Sequence, residues 1–140
     1  MRPFLKIALL VALMAILTGI CSAVYLFYKE APDTASVKPD FTLTATDLQK
    51  EFEQNEAAAS AKYISKVLEV KGTVSSLAKT EGGNVNITLK TGSDLSSVIC
   101  TFPESRVPSQ IKEGDAITVK GECSGFLMDV LLNNCAVSGL

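Results

Sequence analysis

The 140-residue chain contains no histidine and no tryptophan. Their absence removes the commonest general acid–base, the commonest transition-metal ligand and the best base-stacking ring. Positive charge is short where a phosphate binder would need it. Arg2 and Lys6 lie at the N-terminus, ahead of every acidic residue, which leaves eleven cations against fifteen anions in the rest of the chain, net −4. That is the wrong sign for a nucleic-acid surface. The four cysteines show no Cys-x-x-Cys spacing, so a zinc site is not expected. A catalytic thiolate would need a basic partner, and none is evident. The expectation is a protein that is not an enzyme and uses no metal and no cofactor.

What the chain does have is a long apolar run. Ile7 to Tyr28 gives 22 consecutive uncharged residues, about 33 Å as a helix, which matches the hydrocarbon core of a bilayer. Residues 1–28 therefore read as a membrane anchor, with the bilayer itself the partner of residues 7–28. Arg2, Lys6 and the terminal amine precede the run, while Lys29 and Glu30 cancel after it. The positive-inside rule then keeps the N-terminus cytoplasmic and exports the rest to the periplasmic or extracellular side. Tyr25, Phe27 and Tyr28 crowd the outer end, where aromatic rings favour the interface. Two rival readings stay open: a cleaved signal peptide using Cys21-Ser22-Ala23, and a lipoprotein, because Leu17-Thr-Gly-Ile-Cys21 resembles the lipid-attachment box of bacterial lipoproteins. Ile20 stands where that box has a small residue.

Residues 29–40, with Ala31-Pro-Asp-Thr-Ala-Ser, read as a linker. The domain proper is expected over 41–140. Thr46 with Gln49 has capping-box spacing, and Leu48, Phe52 and Ala59 share one face, which predicts an amphipathic helix from about Asp47 to Lys62. Glu51, Glu53 and Glu56 on it read as a solvated face. Five strands follow by alternation: Lys66 to Leu77, Asn84 to Lys90, Ser97 to Phe102, Asp115 to about Cys123, and Asp129 to Val137. Val70-Lys-Gly-Thr-Val74 is echoed by Val119-Lys-Gly-Glu-Cys123, and glycine inside a strand marks a bulge or a barrel corner, here Gly72 and Gly121. The fold class expected is mainly β: a five-stranded Greek-key OB-fold barrel, preceded by one amphipathic helix and the N-terminal transmembrane helix.

The segments Asn55-Glu-Ala-Ala-Ala, Ala61-Lys-Tyr63, Val70-x-Gly72-x-Val74, Cys100-Thr-Phe102, Gly121-x-Cys-x-Gly-Phe126, Asp129-Val and Asn134-Cys135 resemble the tRNA-anticodon-binding-like OB-fold domains of bacterial exported proteins. The resemblance covers roughly Phe41 to Val137. It implies the fold and an envelope location, and it carries no activity.

In an OB-fold the third and fifth strands are neighbours, which makes Cys100 with Cys135 the better disulfide pair; three buried thiols, with Cys123, is the equal alternative. A hairpin tight around Phe126 would set Cys123 opposite Asp129 and out of reach of Cys135. Asn86-Ile-Thr88 matches a glycosylation acceptor relevant only to a eukaryotic secretory route. OB-folds bind across the outer face of strands two and three, here Asn84, Asn86, Thr88, Lys90, Ile99 and Thr101, and at flanking loops. That face is polar and offers no stacking ring. Phe126, Leu127 and Met128 form the other candidate; their expected place is against the barrel and the preceding helix, with an exposed partner site as the alternative. The function read here is a membrane-tethered envelope binding module for a protein, glycan or small polar ligand, with nucleic-acid binding as the alternative.

Overall fold

The computed structural model describes residues 2–28 and 33–139. The chain divides into two compact units, residues 1–31 and 32–140. The first is one helix, α1 (Pro3–Tyr28). Pro3 opens it at the position where a missing N–H costs nothing. Its stretch Pro3–Leu26 has a mean hydropathy of 2.6 and none of its residues is buried, so it is long and apolar enough to cross a membrane. Tyr25 is exposed near its end; the side chains of Phe27 and Tyr28, and residues 29–32, lie outside the described residues.

The second unit is a closed mixed barrel. Its elements run β1 (Phe41–Thr44), α2 (Ala45–Gln54), α3 (Glu56–Tyr63), β2 (Val67–Lys79), β3 (Val85–Leu89), β4 (Val98–Phe102), a 3-10 turn (Glu104–Arg106), β5 (Ala116–Leu127) and β6 (Asp129–Val137). The sheet order β1-β2-β3-β4-β6-β5 closes through a further β2–β5 ladder. The five strands β2 to β6 therefore form the OB-fold ring expected from the sequence, with β4 and β6 parallel and adjacent. Strand β1 is an addition the alternation does not announce. It pairs in parallel with the first half of β2, Phe41 opposite Leu68 and Leu43 opposite Val70. There it covers an edge that β3, paired only from Val74 onward, leaves open.

The expected single helix is two. Thr44, not Thr46, caps α2: its hydroxyl accepts from Asp47 N at 3.1 Å and donates to the Asp47 carboxylate at 2.9 Å. Such a cap is worth about 1 kcal/mol. Asn55 then leaves helical geometry (φ −157°, ψ 90°) and its side chain accepts from Ala58 N, starting α3 afresh. The break turns Leu48 and Phe52 of α2, and Ala59 and Tyr63 of α3, into one core with Leu68, Val70, Ile87, Leu89, Phe102, Val119 and Leu132. The five aromatic residues of the second unit are spent on this packing. Phe52 lies 6.0 Å from Tyr63 and 5.3 Å from Phe126, and Phe41 meets Tyr63 edge-on at 5.1 Å.

Both strand glycines are sites of close approach. A Cβ on Gly72 would lie 3.1 Å from Leu89 Cβ and 3.2 Å from Ala45 Cβ, while the bulge in β2 falls later, between Val74 and Ser76. Gly121 sits within a register shift between Lys120 and Glu122, and a Cβ there would lie 2.5 Å from Cys135 Sγ. Only Gly121 is thus a bulge position as well as a contact; Gly72 is needed for contact alone.

The segment read as a linker is bonded to the barrel from Asp33 onward. Arg106 reaches Asp33 Oδ1 at 3.4 Å and donates to Asn134 Oδ1 at 2.9 Å. The buried Thr34 hydroxyl donates to Asn134 O. Lys120 Nζ donates to the carbonyls of Ala35 and Val37 at 3.2 and 3.3 Å. Asp40 pairs with Val67 through two bonds, N to O at 2.8 Å and N to Oδ2 at 2.9 Å. Residues 33–40 therefore form a strap along β5 and β6.

Candidate functional site

The β5–β6 hairpin reverses at Met128, not at Phe126: Leu127 pairs with Asp129 and Cys123 with Leu132. Gly125, next to the expected tip, is absorbed within the ladder by a second register shift between Cys123 and Gly125. The hairpin therefore reverses two residues past the expected tip. This corrects the expected packing of Leu127 and Met128, while Phe126 packs against the preceding helix as expected. Phe126 is half-buried and stacks on Phe52 of α2 at an interplanar angle of 19°. Leu127 and Met128 are 79% and 71% exposed, because the extension carries them beyond the reach of α2.

Across from the hairpin stands the β3–β4 loop. It is bound to the hairpin by Asp129, whose Oδ1 accepts from Ser97 N at 2.7 Å and Ser97 Oγ at 2.8 Å. Thr91 Oγ1 donates to Ser96 O at 2.5 Å and pins the loop base. Leu95, at the loop crest, is 83% exposed. Leu95, Ser96, Phe126, Leu127 and Met128, with Glu53 and Glu56 from the α2–α3 junction, line an open, shallow cleft of ≈ 660 Å³. A polar cavity of ≈ 530 Å³ adjoins it, sharing Leu95 and Ser96 and reaching Lys90, Ser93, Asp94 and Asp129. Leu95 had no signal in the sequence: one leucine among Gly, Ser and Asp reads as turn filler.

The outer face of β3 and β4 is laid out as the alternation requires. Asn86 stands opposite Thr101 and Thr88 opposite Ile99. The Thr101 hydroxyl donates to Asn86 Oδ1 at 2.9 Å, so the two satisfy each other. Asn84 and Lys90 are exposed at the two ends of β3. Of these six, Lys90 and Thr88 also line the polar cavity, which leaves Asn84, Asn86, Ile99 and Thr101 away from it.

Cys100, Cys123 and Cys135 are buried free thiols in this structure. Cys135 lies against Cys100 and also donates to Leu132 O at 3.4 Å. Burial, with the Cys100 thiol beside it, pushes the Cys135 thiol well above the usual 9.0, and burial likewise raises Cys123. Neither can serve as a thiolate nucleophile near neutral pH. Elsewhere on the surface, Glu51 accepts from Tyr63 Oη at 2.8 Å and Lys62 Nζ at 3.0 Å. The Tyr63 bond foremost, then the Lys62 bond, hold its carboxyl below the usual 4.5.

A comparison with curated proteins returned no match. Among solved structures, a putative nucleic acid-binding lipoprotein from Klebsiella pneumoniae is 19% identical, with a TM-score of 0.55 over 69% of this chain and 91% of that one. At that identity the likeness shows the fold alone. An asparaginyl-tRNA synthetase from Entamoeba histolytica, solved with asparaginyl-adenylate, is 10% identical with a TM-score of 0.46 over 73% of this chain and 24% of that one. The model of the tRNA_anti-like family matches residues 1–137, a span that takes in α1 and the strap as well as the barrel. The chain belongs to the tRNA_anti-like family.

Proposed function

We propose that this protein is a non-catalytic binding module of the cell envelope, tethered to the membrane by α1 and engaging its ligand at the loop end of the barrel. One observation carries the reading. Outside α1, the exposed large hydrophobic residues among those described are Ile64, Leu95, Leu127 and Met128, and three of these four line one cleft. Scattered exposed apolar residues are ordinary, but a cluster around a concavity marks an interaction site. The apolar length of α1 and the Arg2 and Lys6 bias support an anchor with the barrel exported. The absence of histidine and the raised thiols support binding without chemistry. Nucleic-acid binding has weaker support: the β3–β4 face bears Lys90 as its one cation among the six candidate residues, and the rings of the domain are packed inward.

The test is position-specific photo-cross-linking in the native membrane. A photoreactive residue at Met128 should give a discrete adduct, while the same residue at Asn86 or Thr101 should not. Adducts from Asn86 or Thr101 with none from Met128 would move the site to the polar face.

A further inference from the structure

We propose that the loop-end cleft receives a cationic apolar peptide segment, an aliphatic side chain entering between Leu95 and Met128 while a neighbouring Lys or Arg meets Glu53 and Glu56. The proposal rests on the binding role above and names the chemistry of the partner. The cleft is lined by four hydrophobic side chains, Ser96 and two carboxylates, and by no cation among the described residues. Among the described residues, the ion pairs are Lys62 with Glu51, Lys79 with Glu104 and Arg106 with Asp33, so neither Glu53 nor Glu56 has one. Glu53 has only a long bond from Ser96 Oγ at 3.4 Å.

Local energetics do not account for two of these residues. Glu53 lies in the last turn of α2, which holds no basic residue, and there a carboxylate opposes the helix dipole. Met128 holds φ at 66° at an exposed hairpin tip, where Gly or Asn would be less strained. The chain thus places an acid where the helix favours a base, and a large apolar side chain where the turn favours a small one. Both face the same cleft. An anionic lipid surface or a nucleic-acid backbone would be repelled by the carboxylates, whereas a peptide carrying both apolar and basic side chains would find a partner for each.

The chain has no tryptophan, so Leu95→Trp gives a single reporter at the cleft, with the exposed Asp94→Trp as a second position should that variant misfold. The full chain, reconstituted in phosphatidylcholine nanodiscs, is titrated with three synthetic ten-residue peptides: alternating Leu and Lys, alternating Leu and Glu, and alternating Ser and Lys. The Leu–Lys peptide should shift emission to the blue and bind about tenfold more tightly than either control, a difference of about 1.4 kcal/mol. Glu53→Gln with Glu56→Gln should abolish the preference for Leu–Lys over Leu–Glu. Leu127→Ser with Met128→Ser should weaken both apolar peptides while thermal unfolding stays unchanged. Equal binding of Leu–Lys and Leu–Glu, or a preference that survives the double glutamine variant, overturns the charge argument but leaves a binding module standing. Quenching of the reporter by brominated acyl chains, with no peptide response, overturns it in favour of a bilayer contact. No response to any peptide, with no Met128 photo-adduct, removes both readings.

Discussion

Placing a single methyl group on Gly121 tests the closure of the barrel at its tightest point. Gly121 does not hold a positive φ, so alanine meets no backbone penalty there and the effect reports contact alone. The new Cβ would lie 2.5 Å from Cys135 Sγ, 3.2 Å from Leu132 Cβ and 3.3 Å from Asn133 O. Non-bonded atoms prefer about 3.5–4.0 Å, so the thiol must retreat by roughly 1 Å or more. Cys135 is fully buried and has Cys100 beside it, so it has nowhere to go without moving β4 or β6. Overpacking of this kind costs about 1–3 kcal/mol. Replacing a strand glycine returns about 0.5–1 kcal/mol, so with overpacking at about 2–3 kcal/mol for so short a contact Gly121→Ala should be destabilising by about 1–2.5 kcal/mol net. Urea unfolding followed by circular dichroism measures this directly. The mechanism is checked by a double-mutant cycle: Cys135→Ala deletes the offending sulfur, so Gly121→Ala should cost at least about 1 kcal/mol less in that background. If Gly121→Ala alone costs under about 0.5 kcal/mol, or the two changes simply add, the contact does not determine closure.

Phe126→Ala should cost about 1.5–3 kcal/mol, because it removes a half-buried ring stacked on Phe52, whereas Leu127→Ser should stay within about 0.5 kcal/mol; similar costs in unfolding experiments would refute the division of the hairpin. The lowered Glu51 pKa predicts a contribution to stability that is present above pH 4.5 and lost as pH falls through the lowered value. The carboxylate is 41% exposed, so the effect is small; Glu51→Gln should flatten that part of the stability–pH curve, and parallel curves for the two proteins would remove the argument. Cys100, Cys123 and Cys135 should resist iodoacetamide in the folded protein and react once it is unfolded. Labelling of Cys123 alone after unfolding without reductant would show that Cys100 and Cys135 are joined as a disulfide.

The strands were legible because each of the five carries its own buried face at a period of two. Val98, Cys100 and Phe102, for example, are all fully buried. What escaped is what depends on a partner far away in sequence. Phe41 to Thr44 is too short to read as a strand by itself, and it becomes one only because β2 presents an uncovered edge. Asn55 does carry a capping signal toward Ala58, but the apolar stripe running through it read as continuous helix. At the hairpin, the turn was expected around Phe126 while the chain turns at a methionine with positive φ. The candidate site follows the same division. Phe126, Leu127 and Met128 stood out as apolar residues at a tip, but Leu95, Glu53 and Glu56 join them only through loop and helix-junction geometry.

The strap of residues 33–40 also bears on how the barrel meets a pull. Tension entering at Asp33 would load the Arg106 and Thr34 bonds first, then the Lys120 contacts, and last the Asp40–Val67 pair. These fastenings lie in series, so they open one after another and never share the load. The parallel β1–β2 ladder behind them is pulled along its length, with its bonds strained together. Fully released, eight residues pay out about 26–29 Å of chain. The strap is thus a reserve of slack, spent stepwise before the β1–β2 ladder is loaded.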